Sequence, residues 1–190
     1  MSTPIPPNNR PVIAVFGSSA PEEGQPDYEA ARKVGRLLAE AGFAVATGGY
    51  TGTMMAVSQG ASVAGGHVIG VTCSQIEQFR PLGPNRWLTE EIRYATLRER
   101  LIHLVEHNDG IIVLPGGIGT LSEMALAWSL IQVEEIPARP LILMGQMWQD
   151  TINAFIQASY VYEIHQNLIK VALTPEEAIE TLKREFEIKK

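Results

Sequence analysis

The sequence predicts an α/β fold: one doubly wound, parallel β-sheet with helices on both faces. Three observations lead there. Short, wholly apolar runs such as Val12-Ile13-Ala14-Val15-Phe16 recur along the chain, as expected of strands buried on both sides. Between them lie stretches with apolar residues at helical spacing. Several of the runs also end in glycine-rich loops. Strands that alternate with helices build a parallel sheet, and right-handed crossovers place every strand-to-helix loop on the same edge of it.

Taken in order, the first strand is Val12–Phe16, closed by Gly17. Asp27 is the expected N-cap of a helix from Tyr28 to about Ala41, with Ala31, Val34 and Leu38 as its core stripe and Gly42 as its stop. Phe43–Ala46 is the second strand and opens into Gly48-Gly49-Tyr50-Thr51-Gly52. A small-residue helix from about Thr53 to Ala64 and a strand at Val68–Val71 follow. Ser74–Asn85 has no periodicity and reads as an excursion. Leu97, Leu101, Leu104 and Val105 mark a helix from about Ala95 to Asn108, and Ile111–Leu114 marks the next strand. The loop Pro115–Thr120 then leads into a helix carrying Leu121, Met124, Trp128 and Ile131. Leu141–Met144 is a strand, and helices near Trp148–Ala158 and Pro175–Phe186 close the chain. The whole is expected to be a single Rossmann-like nucleotide-binding domain over 12–190. It follows a short disordered tail over 1–11, where Pro4, Pro6 and Pro7 resist regular structure.

Composition narrows the function classes. Among 190 residues the net charge is −6 and the basic residues form no stripe, so a nucleic-acid partner is not expected. A lone cysteine, Cys73, fits a reducing compartment. The N-terminus has neither a basic nor an apolar leader region, and no run is long enough to cross a membrane. The expectation is a cytoplasmic protein with no membrane partner.

Three loops on the predicted edge are rich in glycine and hydroxyls: Gly17-Ser18-Ser19; Thr47–Thr53, with Gly48, Gly49, Thr51, Gly52 and Thr53; and Pro115-Gly116-Gly117-Ile118-Gly119-Thr120. Ligands of open α/β sheets bind at that edge, and glycine loops that open helices favour anions. A phosphorylated small molecule is the expected ligand. No Gly-Lys-Ser/Thr follows any loop, which excludes a P-loop, and no loop fits the dinucleotide pattern. His103-Leu104-Val105-Glu106-His107 matches a zinc-peptidase motif, but it lacks a third ligand and reads as a solvated helix face. Thr120-Leu121-Ser122-Glu123 fits a capping box, so Glu123 has a purely structural reading beside a catalytic one. Arg100 falls at the border of its helix's apolar stripe, where it either snorkels or leans over the binding edge.

Leu114-Pro115-Gly116-Gly117-Ile118-Gly119-Thr120-Leu121-Ser122-Glu123 resembles the PGGxGTxxE signature of the "lonely guy" family. Those proteins are cytokinin-activating phosphoribohydrolases, many of which carry the name lysine decarboxylase. Phe16-Gly17-Ser18-Ser19 and Gly48–Met54 resemble the family's other two loops. Arg100 stands where the family's arginine falls, and Asp109 matches the aspartate between arginine and signature. The resemblance implies that Arg100 and Glu123 are the catalytic pair and that the three loops, Met54 included, bind substrate. It also implies a homodimer or a higher homo-oligomer. The reaction it implies is hydrolysis of the N-glycosidic bond of a nucleoside 5′-monophosphate, of AMP or cytokinin-nucleotide type, to free base and ribose 5-phosphate. On this reading Glu123, ionised at a helix start, stabilises an oxocarbenium-like transition state, with neither metal nor cofactor needed. The alternative is a nucleotide-binding protein of the same fold without turnover. A literal pyridoxal phosphate decarboxylase would need a lysine in the site, and none of Lys33, Lys170, Lys183, Lys189 and Lys190 lies in a glycine loop. The sequence departs from the family pattern at Leu101, Ser122, Thr47 and Met55, which points to a neighbouring branch.

Overall fold

The computed structural model describes residues 10–80, 82–157 and 160–188. Seven parallel strands form one sheet in the order β4-β3-β2-β1-β5-β6-β7. They are β1 (Val12–Phe16), β2 (Ala44–Thr47), β3 (Val68–Cys73), β4 (Glu90–Tyr94), β5 (Gly110–Val113), β6 (Leu141–Met144) and β7 (Ile169–Ala172). The predicted α/β class is the observed one. Most of the expected tail, residues 1–9, lies outside the described residues.

Strand alternation divides the core in two. Val12, Ala14 and Phe16 of β1 face one side with Trp128 and Trp148, whereas Ile13 and Val15 face the other with Tyr28, Val34 and Leu38. The first layer holds α4 (Leu97–Glu106), α5 (Ile118–Gln132) and α6 (Gln146–Ile156). The second holds α1 (Pro26–Glu40), α2 (Thr53–Val63) and α8 (Pro175–Ile188). Short helices α3 (Ser74–Phe79) and α7 (Glu163–Gln166) lie in the connections. No helix among the described residues is long and apolar enough to cross a membrane.

Several expected boundaries move for physical reasons. Helix α1 starts two residues before Tyr28 because Pro26 takes its first turn, so Gln25 and not Asp27 is the N-cap. Strands β4 and β7 were not expected from the sequence. Both lie at sheet edges, where β4 buries only part of Glu90-Glu91-Ile92-Arg93-Tyr94 and charged side chains are tolerated. The larger correction concerns α5. Its N-cap is Gly117, which leaves Thr120 and Glu123 inside the helix with no capping box. A capping box does exist one helix earlier: the Thr96 hydroxyl accepts from the Glu99 N–H, and the Glu99 carboxylate accepts from the Thr96 N–H at 2.9 Å.

The order of the sheet fixes where a ligand can enter. The chain winds outward from β1 to β4 on one side and from β5 to β7 on the other, so β1 and β5 are neighbours at the switch point. They pair with Phe16 opposite Val113. The loops that leave their carboxyl ends diverge to opposite faces and open a crevice between them.

Candidate functional site

The three glycine loops do converge at that crevice, but they do different things. Loop 1, residues 17–19, and loop 2, residues 47–53, are tied to each other. The Ser18 carbonyl accepts from the Thr53 N–H at 2.9 Å and from the Thr53 hydroxyl at 3.1 Å. The Ser19 carbonyl accepts from Thr51 Oγ1 at 3.3 Å. Within loop 2, Thr47 Oγ1 accepts from the Gly49 N–H at 3.1 Å. The threonine that stands in place of a glycine therefore uses up one loop donor, as does the contact from Thr53. The Ser18 hydroxyl accepts from the Ala20 N–H at 3.1 Å, and Ser19 Oγ accepts from Arg80 Nη1 at 3.5 Å. Met54 is half-buried at the start of α2.

Loop 3, residues 115–120, which runs into the first turn of α5, keeps its donors. The first hydrogen bond of α5 runs from the Leu121 N–H to the Gly117 carbonyl at 3.0 Å. The N–H groups of Ile118, Gly119 and Thr120 thus have no acceptor within the helix and point off its positive end. The loop itself is rigidly placed. Trp148 Nε1 donates to the Leu114 carbonyl at 2.8 Å from the start of α6. Thr120 is buried against the turn, and a Cβ at Gly116 would come within 2.2 Å of its hydroxyl oxygen, so position 116 requires glycine. Ile118 stands 81 % exposed at the rim.

Arg100 and Glu123 meet beneath this loop. Both are buried, at 6 % and 8 % exposure, and Arg100 Nη1 lies 3.5 Å from Glu123 Oε1. The placement follows from helical geometry. Glu123 is three residues beyond Thr120, on the same inward face of α5, and Arg100 leans inward from the first turn of α4. The guanidinium also donates from Nε to the Val71 carbonyl at 2.8 Å and from Nη2 to the Gly48 carbonyl at 3.3 Å. Burial raises the Glu123 carboxyl to about 7, with the Arg100 charge and hydrogen bond opposing the shift. The sequence-based expectation of a carboxylate kept ionised by a helix start is therefore corrected. Glu123 sits in the second turn, past the reach of the helix end, and desolvation outweighs the Arg100 charge and hydrogen bond there.

Other predicted features fall elsewhere. Asp109 lies at the amino end of β5, away from the loops, where its Oδ2 accepts from the Val12 N–H at 2.8 Å. His103 is not on a solvated face: it is half-buried, with Nδ1 2.8 Å from the Tyr94 hydroxyl and its ring stacked on His107 at 4.4 Å. Burial lowers it to about 4. Two rings within 8° of parallel do not aim their nitrogens at one point. Among the described residues no three His, Cys, Asp or Glu side chains are grouped to hold a metal ion. Lys33 pairs with Glu176 and Lys170 bonds the Asn167 carbonyl, both away from the crevice.

Sequence reasoning missed Tyr50, Asn85 and Trp148. None carries a charge, Tyr50 is hidden within the second glycine loop, Asn85 and Trp148 belong to no motif, and the contacts that matter are long-range. Asn85, inside the apparent excursion, donates from Nδ2 to the Gly49 carbonyl at 3.1 Å and to the Tyr50 carbonyl at 3.2 Å, pinning loop 2.

Comparison with known proteins adds the relationships. A family model described as "Possible lysine decarboxylase" matches residues 54–182. A rice protein (Oryza sativa subsp. japonica) named "Probable cytokinin riboside 5′-monophosphate phosphoribohydrolase" is 29 % identical over 83 % of this chain. A Mycobacterium tuberculosis protein named "Cytokinin riboside 5′-monophosphate phosphoribohydrolase" is 33 % identical over 62 % of it. The chain spans 62 % of the length of each of these two relatives. Among solved structures, the molybdenum cofactor binding protein of Rippkaea orientalis superposes with a TM-score of 0.72 and 29 % identity, over 92 % of this chain and 96 % of that one.

Proposed function

Because the chain belongs to the family whose model is described as "Possible lysine decarboxylase", the lonely guy family, we propose that it is a nucleoside 5′-monophosphate phosphoribohydrolase. One observation carries this reading: a buried arginine–glutamate pair lies under a helix start whose N–H groups are free for a phosphate. The N–H groups of Ile118, Gly119 and Thr120 hold the 5′-phosphate, with Pro115, Gly116 and Gly117 shaping the turn. Loop 1 borders the ribose. Heterolysis of the glycosidic bond sends its electron pair to the base and leaves positive charge on the sugar. Glu123, with a carboxyl poised near 7, stabilises that charge as an anion and takes the proton of the water that adds to C1′; a proton returns from the carboxyl or from solvent to the nitrogen of the departing base, which leaves as the neutral free base. Arg100 neutralises the ionised carboxylate and fixes its direction.

The test is release of free base from a panel of nucleoside monophosphates, AMP and a cytokinin nucleotide included, with nucleosides and triphosphates as controls. Release confined to monophosphates is the expected result, and no release from any of them overturns it. A second reading, binding without turnover, draws on the likeness to the Rippkaea orientalis protein, whose name is that of a cofactor-binding protein. It predicts ligand-dependent thermal stabilisation with no free base.

The active form is a homodimer on this reading. Exposed Ile118 and Leu121 on α5, with Val133 at its C-cap, provide apolar surface for a second copy. Sedimentation at micromolar concentration should give a dimer, and a clean monomer would count against it.

A further inference from the structure

Loop 2 presents an unusual set of groups to the site. Its Gly48 carbonyl points at Arg100 Nη2, and a Cβ on Gly48 would lie 2.0 Å from that nitrogen. Its Gly49 and Tyr50 carbonyls accept from Asn85. Its Gly49 N–H is bound to Thr47 Oγ1. Loop 2 thus offers its Gly48 carbonyl to a cation, while its Gly49 and Thr53 N–H groups are already bound within the protein and are not free for a phosphate.

The cation is Arg100, and Tyr50 completes its seat. Tyr50 is 3 % exposed, and the Arg100 guanidinium carbon stands 5.7 Å from its ring centroid, within the range of a cation–π contact. The ring is itself anchored. Its hydroxyl accepts from the Cys73 N–H at 2.8 Å and lies 3.1 Å from the Cys73 carbonyl and 3.4 Å from Glu77 Oε1. Glu77 in turn pairs with Arg93. Burial pushes the Tyr50 phenol above its ordinary value, so it stays neutral and keeps both its donor and its acceptor roles.

We infer that Tyr50 is a positioning residue for Arg100: its anchored ring, with the Gly48 carbonyl, holds the guanidinium against Glu123, so that loop 2 serves the arginine and leaves the phosphate to loop 3. The kinetic part of this inference rests on the hydrolase reading above; the placement of the arginine does not. Without the ring, the guanidinium keeps the Val71 carbonyl through Nε but loses the surface that sets the plane of its two terminal nitrogens. Glu123 then loses part of its opposing charge. The titratable groups that act on the Tyr50 phenol are the Cys73 thiol, Glu77 and Arg100, with Arg93 paired to Glu77; α4 and β4 also carry Arg98, Glu99, His103, Glu106, Glu90, Glu91 and Tyr94.

The experiment compares wild type with Tyr50→Leu, Tyr50→Met and Tyr50→Phe. It reads the Glu123 carboxyl titration by carbon-13 NMR, assigned against Glu123→Gln, the Arg100 Nε–H resonance by nitrogen-15 NMR, and kcat and KM for base release from AMP. Tyr50→Leu is expected to raise the Glu123 midpoint by about half a unit or more, as partial loss of a neighbouring opposite charge does. It should also broaden or remove the Arg100 resonance and lower kcat at least about tenfold with KM nearly unchanged. Tyr50→Phe keeps the ring face but loses the hydroxyl that anchors it, and should fall between wild type and the leucine variant in both NMR readouts. If the leucine variant does not fold, the methionine variant, which keeps most of the volume without an aromatic face, decides. A folded leucine or methionine variant with the wild-type Glu123 midpoint and an intact Arg100 resonance overturns the inference. If wild type releases no base, the hydrolase reading fails while the two NMR readouts still decide the role of Tyr50.

Discussion

Glu123 has two protonation states within reach near neutrality, and that gives it two measurable signatures. The first is kinetic. If the carboxylate is the working form, base release should climb with pH and level off above about 7, a limb that Glu123→Gln abolishes together with about a hundredfold or more of the turnover. Nucleotide affinity should hardly change if, as proposed, the phosphate is held by backbone N–H groups. A variant with full turnover would remove Glu123 from the mechanism. The second signature is thermodynamic. The carboxyl ionises more readily in the unfolded chain, near 4.5, than in the folded protein, near 7, so the folded state holds the extra proton between those values. The stability this lends is fully present below about 4.5 and is lost as pH rises through about 7. Urea melts of wild type at pH 5 and pH 8, set against those of the glutamine variant, should show that decline in the wild type alone. Arg100→Ala is expected to raise the Glu123 midpoint further and to cut turnover, since the buried carboxylate then has no counter-charge; the same carbon-13 titration measures it.

The helices show how two identical sequence patterns take different roles. Thr96-Leu97-Arg98-Glu99 and Thr120-Leu121-Ser122-Glu123 both spell a capping box, and only the first is one. What separates them lies upstream. Tyr94 and Ala95 leave a strand directly, so Thr96 is the last extended residue before α4. Before Thr120, Pro115-Gly116-Gly117 turns tightly enough for α5 to begin at Ile118, and Glu123 is carried round to the inward face. Thr96→Ala should therefore cost about 1 kcal/mol in urea denaturation, the usual scale for a lost N-cap, whereas no capping loss of that kind is expected when Glu123 is changed. The same locality explains how much of the fold could be read in advance. Buried strands such as Leu141–Met144 are legible because both faces demand apolar residues. Edge strand β4 is not, since Glu90, Glu91 and Arg93 are only partly buried and pair with polar neighbours, His67, Thr72 and Glu77, from elsewhere in the chain. Arg100 and Glu123 were legible as residues because an arginine beside an apolar stripe and a glutamate after a glycine turn are conspicuous. Their burial and the Tyr50 seat were not, because these depend on which loops the sheet order brings together.

In the whole molecule, the crevice exists only because β1 lies against β5. Val15 pairs with Ile112, so this central seam joins two points almost a hundred residues apart in the chain. That distance has a consequence for assembly. As the polypeptide leaves the ribosome, β1 to β4 can pair among themselves, but β1 remains a bare apolar edge until β5 emerges. Non-local closure of this kind is slow, and the interval exposes Ile13, Ala14 and Val15 to pairing with other chains. A fragment ending at residue 108 should accordingly self-associate into β-rich aggregates, followed by light scattering and infrared spectroscopy, whereas one extended past β6 should remain dispersed. The strand that completes the site is thus also the gatekeeper of newborn-chain solubility.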